Sequence, residues 1–511
     1  MRRRVRTAAL RRGLAALFVL LALTPGAAAQ EEDAAAQAGT AEELTAQCTL
    51  TASFVSRLTR LTDGDKESAQ RIAAGESVTI SWTEEVPVEA VYLSFYYAPA
   101  AYTVIQRDAA GATLAEEAGA LLWNEVIEPV SGAQSVTIAA GEEEIALGTL
   151  AAYGAGAVAD YLPWELPPEK ADYLLVAMHP DDDALFLGAV IPIYGAEQGR
   201  EGAAVYLASR VRQRVDEALR GAWTMGLRAQ PVFGGFPDIP NEYRSQFENT
   251  FRSADVVQYL VRQMRRLKPE VVVSQDLNGE YGHWQHVLLA NAVLEAAPLA
   301  ADAAYDPESA EQYGAWEVKK VYLHLYAENR IQLPVTEPLA AFDGRTAVEV
   351  AAEAFACHQS QLPSRHAVTN EGIYSLSDFG LAYTTVGADT PGVNDMFEHI
   401  DPAVLHAAAT PEPTATPAET AQPAETTAPT ATPAPAATAA ATATPGATPE
   451  ATPAPPAAAQ TGGTDGLVPA LLIGLIALVL AALVALAVRQ RRARRRNRRR
   501  RTGTKDGKGL R

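Results

Sequence analysis

Cysteine is nearly missing from this chain: Cys48 and Cys357 are the two among 511 residues. So few cannot make the disulfide framework that staples small secreted domains, which leaves one bridge between domains or two separate thiols, with the thiols preferred. Basic charge is scarce away from the ends. Six arginines fall in Met1–Gln30 and thirteen Lys and Arg follow Ala487, so the remainder holds 23 basic against 60 acidic residues, near −37. A body this acidic repels polyphosphates, so no nucleic acid or phosphoglycan partner is expected. A Gly-x-Gly-x-x-Gly run after the first buried strand is lacking too, which removes support for a nucleotide cofactor.

Long apolar runs are confined to the two ends. Leu14 to Leu23 is only ten residues long, preceded by arginines and followed by Ala27-Ala28-Ala29, the pattern of a secretory signal peptide over residues 1–29. Leu467 to Val488 supplies twenty-two predominantly apolar, uncharged residues, about 33 Å as a helix and enough to span a bilayer. Ten arginines lie between Arg489 and Arg501. The expectation is one transmembrane helix over 466–488, a basic cytoplasmic tail over 489–511, and the bulk of the chain outside a single-pass cell-membrane anchor. Thr410 to Gln460 is rich in Ala, Thr and Pro and lacks aromatics. It cannot form a core and reads as a stalk within 403–465.

Against this background one segment stands out. Leu174-Leu175-Val176-Ala177-Met178 stops on His179-Pro180-Asp181-Asp182-Asp183. Such a run suits a strand buried on both faces, and ligands in parallel-sheet folds gather at the strands' carboxyl ends. Imidazole with carboxylate suits Zn²⁺, and three protein ligands leave a position for a reactive water. Taken alone, the segment also fits an Asp-rich turn that caps a helix, with His179 incidental. A second segment shifts the balance. Pro269 to Gln275 is another short buried strand, and Asn278-Gly279-Glu280-Tyr281-Gly282-His283-Trp284-Gln285-His286 leads into an apolar helical run from Val287 to Leu294. His283 and His286, three apart at a helix start, project into roughly the same space and offer the missing ligand.

These motifs resemble those of the PIG-L/LmbE family of zinc-dependent N-deacetylases, whose signatures are His-Pro-Asp-Asp-Glu and a later Tyr-x-His-x-Asp-His. The resemblance spans roughly residues 170 to 400. It implies that His179, Asp182 and His286 bind the Zn²⁺ cofactor and that Asp181 is the general base. It further implies that Tyr281 and His283 polarise the amide carbonyl and stabilise the oxyanion. Arg214 and Glu217 resemble the family's Arg-x-x-Glu helix, and Gly235-Phe236-Pro237-Asp238 its substrate-side loop, so Arg214 and Asp238 are the implied substrate-binding residues. Two positions depart from the pattern. Asp183 stands where Glu is usual, which puts a contact behind the ligands in question; Gln285 stands where Asp often sits beside the catalytic histidine, which implies that His283 is not held as imidazolium. Cys357 to Gln361 and Phe379 to Ile400 resemble the family's carboxyl-terminal portion without assigned chemistry, and His358 and His366 are expected to be structural or exposed.

From Ala171 onward, strands expected at 203–207, 230–233, 270–274 and 318–325 alternate with helices expected at 212–225, 254–267 and 346–361. This is an α/β pattern, a Rossmann-like parallel sheet over 166–402. If its order is 3-2-1-4-5, the two motifs meet at the topological switch point. The texture of 30–165 differs: short segments at 76–82, 90–97, 102–107, 134–139 and 143–153 separated by Gly, Pro and Asp predict an all-β jelly-roll sandwich. Leu61-Thr62-Asp63-Gly64-Asp65 and Leu150-Ala151-Ala152-Tyr153-Gly154 resemble the edges of a discoidin-like (F5/8 type C) domain, which implies carbohydrate binding; a plain packing domain with an acidic turn at Asp63 and Asp65 fits nearly as well. Tyr92, Phe95, Tyr96, Tyr97 and Tyr102 are expected in its core.

The expected whole is a surface-anchored hydrolase that removes N-acetyl groups from an N-acetylglucosamine-type sugar or a cell-envelope glycan. Its sandwich is expected to aid binding to polymer and to be dispensable for chemistry on small substrates. Competing readings are a glycan-binding adhesion protein with an inactive deacetylase fold, and an amidase for another acylated amino-sugar conjugate. Oligomeric state is not legible.

Overall fold

A computed structural model describes residues 39–159, 161–247 and 251–406. The expected signal peptide, the membrane helix, the basic tail and the Ala/Thr/Pro stretch of 410–460 lie outside the described residues. Among the described residues no helix is long and apolar enough to cross a membrane.

Nine strands build the first region: β1 Thr49–Ala52, β2 Gln70–Ile72, β3 Ser77–Ser81, β4 Ala90–Phe95, β5 Tyr102–Arg107, β6 Thr113–Ala118, β7 Asn124–Ile127, β8 Ser135–Ala140 and β9 Ile145–Tyr153. They form two antiparallel sheets, ordered β1-β3-β8-β5-β6 and β2-β9-β4-β7. Alternation marks the inward face of the sandwich most cleanly in β3 and β5. In β3, Val78 and Ile80 point inward between half-buried Ser and Thr, and they meet Val91, Leu93, Phe95, Val104, Val136, Ile138 and Leu147 in one apolar core. The sequence expectation located five of the nine strands. Strand β6 was illegible because nearly all its residues are exposed, so no apolar period marks it. Phe95 and Tyr102 are core residues as expected, but Tyr97 is 49% exposed; the chain leaves β4 at Phe95, so Tyr97 no longer shares the strand's inward face.

The second region is a seven-stranded sheet: β10 Tyr173–Ala177, β11 Gly202–Ala208, β12 Val232–Phe236, β13 Val271–Ser274, β14 Lys320–His324, β15 Arg330–Gln332 and β16 Asp378–Thr384. Its order is β12-β11-β10-β13-β14-β16-β15. The first five strands in that order are mutually parallel and reproduce the expected 3-2-1-4-5, while β16 runs antiparallel to β14 and β15 and closes the edge. Strands β10, β11, β13 and β14 are buried at every residue because apolar layers cover both faces. Each fully buried Val or Leu contributes about 1.5–3 kcal/mol.

Five helices matter to the site: α1 Asp182–Phe186, α2 Arg212–Thr224, α3 Ser253–Leu267, α4 Trp284–Ala301 and α5 Ala347–Ala356. Helix α5 begins in a capping box between Thr346 and Glu349. It stops at Ala356, short of the expected Gln361, because the chain tightens into successive turns in which His358 N–H bonds Phe355 O and Gln361 N–H bonds His358 O.

Candidate metal centre and active site

Strands β10 and β13 lie side by side in parallel, so both motifs emerge at the same edge of the sheet. Their ends are stitched together: Met178 N–H donates to Gln275 Oε1 at 3.0 Å and the Ser274 hydroxyl to Val176 O at 2.9 Å. The loop after β13 turns through Gly279, at φ +73°, where a Cβ would meet the His283 carbonyl at 2.5 Å. Only glycine permits that approach.

Three ligand-type atoms converge there. His179 Nδ1 lies 3.0 Å from His286 Nε2 and 3.1 Å from Asp182 Oδ2, and His286 Nε2 lies 3.3 Å from the same oxygen. The triangle matches the edges, about 3.3 Å, of a tetrahedron with ligand distances of about 2.0 Å. His283 also offers a ring nitrogen within 4.8 Å of those of His179 and His286; the Asp182 triangle is the tighter one. The electrostatics also call for a cation. Although burial alone would lower His286, Asp182 and Glu280 beside it push it up to about 10, and burial of Asp182 is outweighed by His286 and His179, which hold it well below the usual carboxylate range. This donor set fits a divalent ion of tetrahedral preference, held by His179, Asp182 and His286.

Glu280 and His324 were not foreseen. Glu280 Oε2 faces His286 Nδ1 at 2.6 Å, and its other oxygen faces His324 Nδ1 at 3.2 Å. A carboxylate behind a ligand histidine fixes its ring and tautomer. The signal was present in the motif, since Glu280 precedes Tyr281, but its partner His324 arrives from β14 and only the fold brings it in.

Asp181 is buried, and its Oδ1 is paired with Arg214, whose other arm pairs with Asp238. Arg214 therefore joins the expected base to the expected substrate loop. Asp238 also lies 3.5 Å from His179 Nε2. Tyr281 is 43% exposed, which leaves it open to a ligand, and burial and nearby carboxylates push its phenol well above the ordinary value, so it remains a donor. Burial, with His179 and His286 nearby, lowers His283 to about 3 and keeps it neutral. The cavity they surround is about 430 Å³ and is also lined by Asn241, Gln361, Ser364 and His366.

Both departures from the family pattern stand as the sequence implied, and one expectation, for His366, changes. Gln285 does not serve His283: its Oε1 lies 3.4 Å from His179 Nε2 and accepts from Ile239 N–H, and its amide donates to Pro237 O, because the first turn of α4 aims it at the 237–239 loop. Asp183 points away from the ligands, accepting from the Tyr206 hydroxyl at 2.5 Å and from Ala184 N–H at 2.7 Å, and burial pushes it up to about 8. His366 is at the cavity, half-buried, with its ring against Tyr281 at 5.1 Å and Nδ1 at 2.7 Å from the Tyr374 hydroxyl. His358 is buried as expected, neutral through burial, and neither ring nitrogen has a hydrogen-bond partner among the described residues. Cys48 and Cys357 are free thiols.

Residues 174–297 match the family model described as GlcNAc-PI de-N-acetylase. Residues 392–505 match one described as Alphavirus glycoprotein J, across the compositionally biased stretch. A 1D-myo-inositol 2-acetamido-2-deoxy-alpha-D-glucopyranoside deacetylase of Streptomyces scabiei is 32% identical over 177 residues, 29% of this chain and 54% of its own. Deacetylase 1 of the same description from Catenulispora acidiphila is 30% identical over 190 residues, 32% of this chain and 58% of its own. The chain thus spans a little over half the length of these relatives. Among solved structures, N,N'-diacetylchitobiose deacetylase from Pyrococcus horikoshii is 17% identical, with 39% of this chain and 73% of that one covered at a TM-score of 0.29. The GlcNAc-PI de-N-acetylase match runs from β10 into α4 and so contains both ligand-bearing segments.

Proposed function

We propose that this chain is a zinc-dependent hydrolase that removes the N-acetyl group from an N-acetylglucosamine-type sugar or glycan. The observation that carries the reading is the ligand triangle of His179, Asp182 and His286 with the unligated carboxylate of Asp181 one residue away. The named activities of the relatives support the substrate class.

An acetamide is a poor electrophile and water a poor nucleophile. Zn²⁺, when bound, would lower the pKa of a water toward about 7 and polarise the carbonyl. Asp181 is placed to accept a proton from an attacking water and to return it to the departing amine; such a shuttle would be worth about 10²–10⁴-fold. Arg214 holds Asp181 Oδ1, which orients the carboxylate and leaves Oδ2 for the proton. The Tyr281 hydroxyl and His283 donate to the carbonyl oxygen as charge grows there, each contributing roughly 3 kcal/mol. Neutral His283 suits that donor role and not that of a standing cation. Asp238 accepts from sugar hydroxyls at the exposed side of the cavity.

The test is acetate release from N-acetylglucosamine oligomers, with chelated and zinc-restored protein. No release from the restored protein would end the reading. We further propose a single-pass surface anchor, supported by the run 467–488 and the arginines after it. Protease added to intact cells should free the catalytic region and leave an epitope after Arg501 protected; an epitope accessible from outside would reverse that topology.

A further inference from the structure

Helix α2, which carries Arg214, starts badly. Its N-cap position is Val211, without a side-chain cap, and its first turn holds no acidic residue. Arg212 and Arg214 instead bring two cations to the positive end of the helix dipole, an unfavourable arrangement on its own. The correction comes from the sandwich. Glu67 Oε1 accepts the Gln213 N–H at 2.9 Å, the bond an N-cap side chain would make, and its other oxygen accepts from the Tyr96 hydroxyl at 3.0 Å. The loop that delivers Glu67 is braced by Asp63, which accepts from Asp65 N–H, and by Asp65, which accepts from Glu67 N–H, each at 3.0 Å.

Arg212, 3% exposed, is buried against the same domain. Its guanidinium donates to Phe95 O at 2.8 Å, the Ser94 hydroxyl at 3.1 Å and Asn124 Oδ1 at 3.2 Å, and stacks over Trp123 at 5.0 Å. Lys66 reaches Asp216 of α2 at 3.2 Å. Every bond that fixes the first turn of α2 from outside the helix on this side thus originates in the sandwich, and Arg214, the next residue after Gln213, is the one that grips Asp181 and Asp238.

We infer that the sandwich is a working part of the active site: Glu67 and Arg212 are positioning residues that hold α2 so that Arg214 orients Asp181. This rests on the deacetylase reading and reverses the expectation that the sandwich is dispensable for small substrates.

The full-length, zinc-restored chain is assayed with N-acetylglucosamine oligomers as wild type, Glu67→Ala, Glu67→Gln and Arg71→Gln. Amide hydrogen exchange over 212–216 is followed in parallel. Glu67→Ala should lower kcat about five- to tenfold, the size of a lost cap, with KM within about twofold. It should also speed exchange in that turn. Glu67→Gln, whose amide oxygen still caps, should recover most of the loss. Arg71→Gln, which breaks a sandwich ion pair with Glu144 and leaves both Glu67 bonds in place, should change neither. Wild-type kcat in Glu67→Ala, or an equal loss in Arg71→Gln, overturns the inference. If wild type itself releases no acetate, the functional reading fails, and unchanged exchange in Glu67→Ala then overturns the positioning claim separately.

Discussion

The two regions of this protein use the faces of their sheets differently. In the sandwich, strands such as β3 and β5 turn one face to the core and the other outward, as Val78 and Ile80 alternate with Ser and Thr. In the α/β sheet, strands β10, β11, β13 and β14 are buried throughout, and polar side chains have room only where strands end. The site is therefore assembled from residues just past β10 and β13, with His324 from the end of β14. Chemistry collects where a sheet buried on both faces runs out, while the sandwich offers its polar loops as struts.

The sharpest way to break this comparison is at the strand ends. His286→Ala should remove the metal and with it all measurable acetate release, checked by elemental analysis alongside the assay; a variant that kept full metal content would overturn both the Asp182 triangle and the histidine trio, since His286 belongs to each. Asp181→Asn should retain metal and lose about 10²–10⁴-fold in kcat, because a proton carrier and not a ligand is removed. Retained activity would make another group the base.

A smaller effect tests whether the two regions are one cooperative unit. Leu174 in β10 and Leu93 in β4 are both fully buried, so truncation to Ala should cost about 2–5 kcal/mol at either place. The regions share Arg212, the bond from Trp123 N–H to Gln230 Oε1 at 2.7 Å and the Trp123–Phe233 ring contact at 5.2 Å. Leu93→Ala should therefore shift the same calorimetric transition as Leu174→Ala. Two separate transitions, only one of them moved, would make the sandwich an independent module.

How much of this the sequence carried follows from the same contrast. Buried strands advertise themselves: the run at 174–178 and the Val271-Val272-Val273 triplet located β10 and β13, while their adjacency entered only as a condition that the sheet then met. Alternating strands such as β5 were equally legible. What stayed hidden depended on contacts between distant segments. Glu280 needed His324, some forty positions on, to show its role, the partners of Gln285 lie in the distant 237–239 loop, and Glu67 is one acid among many on a loop. The expectation for Asp63 and Asp65 as an acidic turn was sound, but its purpose lay in another domain.

Each region also buries a carboxyl whose proton is held against a tyrosine hydroxyl, and a pair of these carries the smallest expected effect. Asp183 meets Tyr206, and Glu125 meets Tyr102. Burial raises both carboxyls, Asp183 from 3.8 to about 8 and Glu125 upward from 4.5. A carboxyl whose folded pKa lies above its unfolded one binds its proton more tightly when folded, so the stability it lends is full below the unfolded value and drains away as pH rises through the folded one. After chelation, so that no bound cation competes with the proton, the melting temperature should fall between about pH 4 and pH 8 on account of Asp183. Asp183→Asn should flatten that slope, since an amide carries no titrating charge. Glu125→Gln should flatten it less, because Glu125 is less deeply buried and the Tyr102 hydroxyl and Ala120 N–H already favour its charged form. Equal slopes in wild type and Asp183→Asn would mean that the proton sits elsewhere, and that the Tyr206 bond, reached from Trp123 through Phe233, is held by a carboxylate and not by a carboxylic acid.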